Sequence, residues 1–270
     1  MTSPTLLLVG CGKMGGALAQ GWMNSPKPPR LVILDRKLEQ APGNSPIYRT
    51  PQDIPKDVAP DIIVLAIKPA AADSIIKELS AAMGENFYKA ALLSVMAGKT
   101  CQHLAEVSGR EDMPVIRTMP NTPSSVGAGS AGLYASPHVS EKQKALGIAL
   151  MEQVGTVVPV SRETDLRTVT AIAGSAPAYI FFLAELLEQR GVDLGLTAKQ
   201  SRQLVRSMIY GSGKMLHDLP EDAATLRKNV TSPNGTTAAA LSVFMDERNW
   251  PHSVKLATEA AVRRAEELDN

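Results

Sequence analysis

The chain has very little cysteine, almost no net charge, and no apolar run that reads as long enough to cross a bilayer. Its two cysteines, Cys11 and Cys101, lie far apart with no C-x-x-C spacing, which excludes a disulfide framework and a zinc-ribbon site and fits a reducing compartment. Lys and Arg number 28 against 27 Asp and Glu, a net charge of +1. That balance gives no electrostatic case for nucleic acid or a membrane surface, so a small molecule is the expected partner. The most apolar stretch, 171–184, is short for a membrane span and contains Gly174, Ser175 and Pro177. Met1-Thr2-Ser3-Pro4 carries no basic residue ahead of the first apolar run, which argues against a signal peptide. There is no internal repeat or low-complexity tract, and His103, His138, His217 and His252 fall in no motif, so no metal site is expected. These absences point to a soluble, cytoplasmic chain.

A chain of 270 residues, 44% hydrophobic and 20% charged, is folded and larger than most single cores, so two domains are expected. Over the first half, strand-like runs (6–9, 31–34, 62–67, 90–95, 115–118) alternate with helix-like runs (16–23, 70–83, 102–108), which predicts a parallel sheet with helices on both faces. Beyond Ser161-Arg162-Glu163 the periodicity is helical, with Leu166, Val169, Ile172 and Ala173 on one face. The expected division is a dinucleotide-binding domain over 1–160 and an all-helical domain over 161–270.

The first strand runs directly into Gly10-Cys11-Gly12-Lys13-Met14-Gly15 and then a helix. Gly10 permits the tight turn, Gly12 lets the backbone approach a pyrophosphate, and Gly15 lets the helix sit close on the strand. The second strand ends in Asp35, about 20 residues on, where a carboxylate would reach the adenosine ribose. Arg36 and Lys37 follow at once. A carboxylate favours a free ribose hydroxyl, whereas a guanidinium can stack on adenine and pair with a 2′-phosphate, so NADH and NADPH both stay open.

In open α/β sheets ligands bind beyond the carboxyl ends of strands, which brings forward Ala66, Lys68-Pro69, Ala97-Gly98-Lys99-Thr100 and Met119-Pro120-Asn121-Thr122-Pro123. Lys68 is placed to meet a phosphate or the carboxamide end of a cofactor. Gly98-Lys99-Thr100 imitates the end of a P-loop, but Leu93 occupies the position of the first glycine. The proline-braced segment at Met119 reads as a fixed wall beside the nicotinamide.

In the helical half, small residues crowd 171–178, inviting another backbone to approach, and Pro177 is expected to break or kink that helix. Glu185 and Glu188 read as a solvated edge. Val230-Thr231-Ser232-Pro233-Asn234-Gly235-Thr236-Thr237 joins hydroxyls, a proline and an Asn-Gly turn ahead of an apolar run. Such a loop points N–H groups inward at a helix N-terminus, a nest suited to a carboxylate.

Taken together, the glycine turn, Lys68-Pro69, Arg117-Thr118-Met119-Pro120-Asn121-Thr122-Pro123, Gly174-Ser175-Ala176-Pro177-Ala178-Tyr179 and the 230–237 loop resemble, in order, the motifs of the pyrroline-5-carboxylate reductase family. The last motif is the most specific, because other dehydrogenases of similar fold lack it. The resemblance implies an N-terminal Rossmann-type doubly wound parallel sheet followed by an all-α dimerisation domain. It implies reduction of Δ1-pyrroline-5-carboxylate to L-proline, the final step of proline biosynthesis, with hydride from NADPH or NADH. It also implies a homodimer with possible further assembly into a decamer.

On the same resemblance, Gly10, Gly12, Lys13, Met14, Gly15, Asp35, Arg36, Ala66, Lys68, Pro69 and Ala97 bind the cofactor. Asn229, Ser232, Gly235, Thr236, Thr237 and Met119 bind the substrate, with the Thr237 hydroxyl on the ring nitrogen as the catalytic contact. Two departures stand out: Asn234 where the family usually has a second glycine, and Ala176 where it often has one. The alternatives are a related imine reductase or β-hydroxyacid-type dehydrogenase, the latter lacking a clear catalytic lysine here, and a non-catalytic nucleotide-binding sensor.

Overall fold

A computed structural model describes residues 3–269. The elements in chain order are β1 (Thr5–Val9), α1 (Lys13–Met23), β2 (Arg30–Leu34), β3 (Ile47–Tyr48), β4 (Ile62–Leu65), α2 (Ala72–Met83), α3 (Glu85–Lys89), β5 (Ala91–Ser94), α4 (Cys101–Ser108), β6 (Val115–Met119), β7 (Gly129–Ala135), α5 (Glu141–Glu152) and β8 (Gly155–Pro159). Helices follow: α6 (Asp165–Val169), α7 (Ala176–Asp193), α8 (Ala198–Asp218), α9 (Ala223–Asn229), α10 (Thr236–Phe244) and α11 (Trp250–Asp269).

The chain divides into two compact units, one of residues 1–175 with 261–270 and one of residues 176–260. The expected boundary at 160/161 therefore falls inside the first unit. The reason is local: α6 packs on the sheet, and Gly132 of β7 gives Val169 room that a Cβ would fill. The end of α11 also returns to the first unit.

The first unit holds an eight-stranded sheet in the order β3-β2-β1-β4-β5-β6-β7-β8. Its strands β1, β2, β4 and β5 read as near-continuous apolar runs because both faces are covered. Leu7, Val9, Ile63, Leu65 and Leu92 pack with Ile76, Leu79 and Leu104 on one side. Leu6, Leu8, Ile33, Ile62 and Val64 pack with Leu18, Trp22, Leu150 and Met151 on the other. Each such fully buried side chain contributes about 1.5–3 kcal/mol. The buried Trp22 indole also donates to the Leu150 carbonyl at 2.9 Å, tying α1 to α5.

The sheet is parallel-dominated and not wholly parallel as expected, since β7 runs antiparallel to β6. The short connection between them, 120–128, holds only a 3-10 segment, Thr122–Val126. A parallel pairing would need a crossover of a dozen or more residues. Between β1 and β4 the strand order reverses direction, and this switch point places the ends of β1, β2 and β4 side by side.

The second unit is helical. Gly191 of α7 lies against Ser201 of α8, whose hydroxyl donates to the Glu188 carbonyl at 2.7 Å. Phe181, Phe182 and Tyr210 are 63%, 58% and 72% exposed, and no residue of α7 is buried. An apolar surface of this extent marks an interaction face.

Regular α-helical bonding is interrupted just before Pro177, where a break or kink is expected. A π turn at Thr170–Gly174, with Ser175 N–H donating to the Thr170 carbonyl at 2.7 Å, and a bend at Ser175 stand between α6 and α7. The longer helical stretch that contains 171–184, Asp165–Asp193, is long and apolar enough to cross a membrane by length and composition only.

Candidate active site

The glycine turn sits at the switch point, and each glycine there has its own steric reason. Gly10 has φ +86°, and a Cβ on it would meet the Ala66 carbonyl oxygen at 2.7 Å. At Gly15 a Cβ would run into the Gly10 carbonyl, so the helix can lie this close to the turn only with glycine. A Cβ on Gly12 would meet nothing within 4 Å: the space over it is open. Gly12 is also the N-cap of α1 and supplies no side-chain cap. The first-turn amides of α1 thus face open space, which is the form of an anion site at a helix N-terminus.

A groove of about 740 Å³ opens from this turn, lined by Gly10, Cys11 and Gly12, by Asp35, Arg36, Lys37 and Arg49, and by Ala66, Lys68 and Ser74. Lys13 is exposed at the start of α1, whereas the Met14 side chain packs against the core. Pro69 opens the 3-10 turn that leads into α2. Cofactor residues expected from three separate strands and the α1 turn therefore stand around one edge of the sheet, and the glycine cradle fits a dinucleotide pyrophosphate.

Asp35 is placed differently from a free ribose ligand. Its Oδ2 accepts from Cys11 N–H at 2.8 Å, and its Oδ1 accepts from Lys37 and Leu38 N–H at 2.8 and 2.9 Å. Partial burial pushes this carboxyl up, but the three amides and the nearby Arg49 outweigh it and hold the group below the usual carboxylate range. Arg49 donates through Nη1 to the Asp35 carbonyl at 2.7 Å.

Ala97 and Met119, expected at the nicotinamide end, line a smaller cavity of about 180 Å³ with Gly98, Arg117 and Ser175. Behind it lies an ion-pair cluster that the sequence did not reveal. Arg117, 3% exposed, donates to Glu163 at 2.7 Å and to Asp269 at 3.1 Å; Arg167 reaches the same Asp269 at 2.9 Å. The signal for a pairing was a charge inside a strand that otherwise reads as core. The partner, 152 positions away, was not readable. Asn121, which the sequence places only within the wall at Met119, joins the π turn to β7 through bonds to the Ala173 carbonyl and the Ser130 N–H. At the start of α2, Asp73 is held below the usual range by hydrogen bonds from Lys99 and then His103. That pairing gives Lys99 a use unrelated to a P-loop.

In the second unit the 230–235 loop turns as the sequence suggested. Asn234 is left-handed at φ +60°, one of the few side chains that tolerate this, and Gly235 N–H donates to the Ser232 carbonyl at 3.1 Å. Ser232 Oγ occupies the space a Cβ on Gly235 would need. Gly235 is the N-cap of α10 without a side-chain cap, so the N–H groups of Thr236 and Thr237 at the start of the helix carry no intrahelical bond. Thr237 is half-buried, Ser232 and Thr236 are exposed, and Asn229 ends α9.

The comparisons agree with this arrangement. A family model described as "Pyrroline-5-carboxylate reductase dimerisation" matches residues 163–268, and one described as "NADP oxidoreductase coenzyme F420-dependent" matches residues 5–98. The first match begins near the expected boundary, so the family domain starts earlier in the chain than the second compact unit. A pyrroline-5-carboxylate reductase of Vibrio alginolyticus is 35% identical, covering 100% of this chain and 99% of its own. The solved pyrroline-5-carboxylate reductase of Coxiella burnetii superposes with a TM-score of 0.89 at 30% identity, covering 100% of both chains. The pyrroline carboxylate reductase of Plasmodium falciparum, solved with NADP bound, superposes at 0.85 with 27% identity, again over 100% of both. With a relative this similar over its full length, the chain belongs to the pyrroline-5-carboxylate reductase family.

Proposed function

We propose that this chain reduces Δ1-pyrroline-5-carboxylate to L-proline, the final step of proline biosynthesis. The observation that carries the reading is the pairing, in one chain, of a dinucleotide cradle at Gly10, Gly12 and Gly15 with an uncapped helix N-terminus behind the 232–235 turn. Such an end holds a carboxylate through backbone amides and the helix dipole. Thr236 and Thr237 supply the first-turn amides, with Ser232, Gly235 and Asn229 shaping the loop. The Thr237 hydroxyl bonds the ring nitrogen and orients the imine, and Met119 forms an apolar wall.

A bound reduced nicotinamide would supply the hydride; its addition to the imine carbon of the protonated ring would leave the C=N π pair as the lone pair of the proline nitrogen. The chain's own contribution is positioning and does not require a strong acid or base. Gly10, Gly12, Lys13, Met14 and Gly15 hold the pyrophosphate turn; Asp35, Arg36, Ala66, Lys68, Pro69 and Ala97 complete the cofactor edge.

We further propose a cytoplasmic homodimer formed through the exposed apolar face of α7 and α8, with no nucleic-acid or membrane partner at a net charge of +1. Sedimentation equilibrium tests this, and a mass near ten chains would instead report a decamer. For the activity, purified protein is mixed with pyrroline-5-carboxylate and NADPH or NADH while nicotinamide absorbance and proline are followed. Turnover with proline formed one for one is the expected result. Cofactor binding without turnover would remove the assignment.

A further inference from the structure

Asp35 stands where a carboxylate favours NADH by accepting from the adenosine ribose 2′-hydroxyl, which requires acceptor sites to spare on its oxygens. In this chain they are engaged internally. Oδ1 already accepts two amides, those of Lys37 and Leu38, and Oδ2 accepts that of Cys11. A carboxylate offers about four acceptor sites, so a single site on Oδ2 is left. The side chain instead ties the glycine turn after β1 to the loop after β2.

Around it the groove is cationic. Arg36, Lys37, Arg49 and Lys68 all line it, with Asp35 as its single carboxylate. Arg36, Lys37 and Lys68 make no ion pair among the described residues, and Arg49 makes only its bond to the Asp35 carbonyl. That bond leaves the rest of the Arg49 guanidinium free and sets it beside the end of β2. Asp35 is the one counter-charge to these four cations; a neutral ribose diol would add none, whereas a dianionic phosphate would.

The geometry points to Arg36 and Arg49 as the residues that hold an adenosine 2′-phosphate, making the chain selective for NADPH, with Asp35 a positioning residue of the turn and not a ribose ligand. This rests on the reading of the groove as a reduced-nicotinamide site. Arginine suits the task because its planar fork matches a phosphate with two parallel bonds.

The test separates the two readings by using fragments that cannot react. Calorimetric affinities of adenosine 2′,5′-bisphosphate and of AMP are measured on the full chain, the two probes differing only in the 2′-phosphate. The bisphosphate is expected to bind at least about tenfold tighter, the scale of a charge-assisted contact. Arg36→Ala and Arg49→Ala each narrow that ratio, while Lys27→Ala, an exposed cation outside the groove, leaves it unchanged. Asp35→Asn is then compared for NADPH and NADH binding by nicotinamide fluorescence. Loss of affinity for both by a similar factor is expected of a turn brace. Equal affinities for the two fragments, or a loss confined to NADH in Asp35→Asn, would overturn the inference and leave the dinucleotide site standing. No binding of either fragment or of either cofactor would overturn both.

Discussion

The side-chain amide of Asn121 donates to the carbonyl of Ala173 at 3.1 Å, and four residues beyond Ala173 stands Pro177, which has no N–H to give it. In an uninterrupted α-helix that carbonyl would be the acceptor for residue 177. The π turn moves the backbone bonds by one residue, and Asn121 fills the vacancy. Its oxygen simultaneously accepts from Ser130 N–H at 2.9 Å, so both ends of the buried amide are fixed. The irregularity therefore falls just before the proline, and α7 starts at Ala176 and runs on through Pro177. Asn121→Ala is expected to lower unfolding free energy by about 1–3 kcal/mol, the cost of leaving such groups unpaired. Asn121→Asp should fare no better, since a carboxylate cannot donate to the Ala173 carbonyl. Urea denaturation of the three proteins checks this, and wild-type stability in Asn121→Ala would show the bond to be incidental.

Removing the Thr237 hydroxyl tests the proposed chemistry without touching the fold. Thr237 sits in the first turn of α10, and alanine is no worse a helix former than threonine. Its side chain makes no hydrogen bond among the described residues. Thr237→Ala is therefore expected to keep the wild-type melting temperature and lose roughly 10–100-fold in turnover, the worth of one hydrogen bond to a charged nitrogen. Steady-state kinetics beside a thermal melt decide it; unchanged turnover would take Thr237 out of the mechanism.

Much of the first unit was legible because its signals are local. Leu6 to Val9 followed by three spaced glycines can hardly fold otherwise, and Asn234 announced a left-handed turn that the backbone adopts at φ +60°. What escaped had either weak or non-local signals. β7 begins Gly129-Ser130-Ala131-Gly132, small residues chosen by the packing of Val169 and Ser124 and not by strand propensity. Asp35 was legible as an acidic residue at the right place, but its hydrogen bonds to three amides depend on a turn geometry that spacing alone does not specify.

The end of α11 is latched to the sheet by the cluster around Arg117. Leu268 packs against Gly98, which has φ +73° and whose Cβ would meet the Leu268 carbonyl oxygen at 2.6 Å. Arg117 and Asp269 are 3% and 8% exposed at their side chains, so cutting the pair leaves charge without water. Arg117→Leu is expected to cost about 3–5 kcal/mol, as breaking buried pairs does. Arg110→Ala, which breaks an exposed pair with Asp112, should leave the denaturation midpoint where it is. Guanidinium denaturation compares them, and equal midpoints would mean the latch carries no stability.

Asp35 should leave a signature in the pH dependence of stability. Its folded-state value lies below the ordinary carboxylate value near 3.9. A depressed carboxyl stabilises the fold fully above the unfolded value, and that contribution is lost as pH falls through the folded one. The stability gap between wild type and Asp35→Asn should thus be constant from about pH 8 down to about pH 5, then close in more acid solution. A gap that persists unchanged at about pH 3 would mean that the charge on Asp35 is not what the three amides recognise.

The two thiols lie in environments that both disfavour the thiolate, yet they differ in access. Cys101 is buried, and burial first and the nearby Glu163 second push its pKa up strongly. Cys11 is half-buried in the groove; burial raises it, and the Asp35 charge raises it further. Alkylation requires the thiolate and a path to it. Native protein is therefore expected to label slowly at Cys11 at neutral pH, faster as the solution becomes alkaline, and at Cys101 only after unfolding. Because Cys11 lines the same groove as Gly12 and Asp35, saturating dinucleotide should protect it. Mass spectrometry of peptides labelled with and without cofactor reads both sites at once. Unprotected Cys11 would place the bound nucleotide away from the glycine turn, and early labelling of Cys101 would show that the latch beside it opens in the native state.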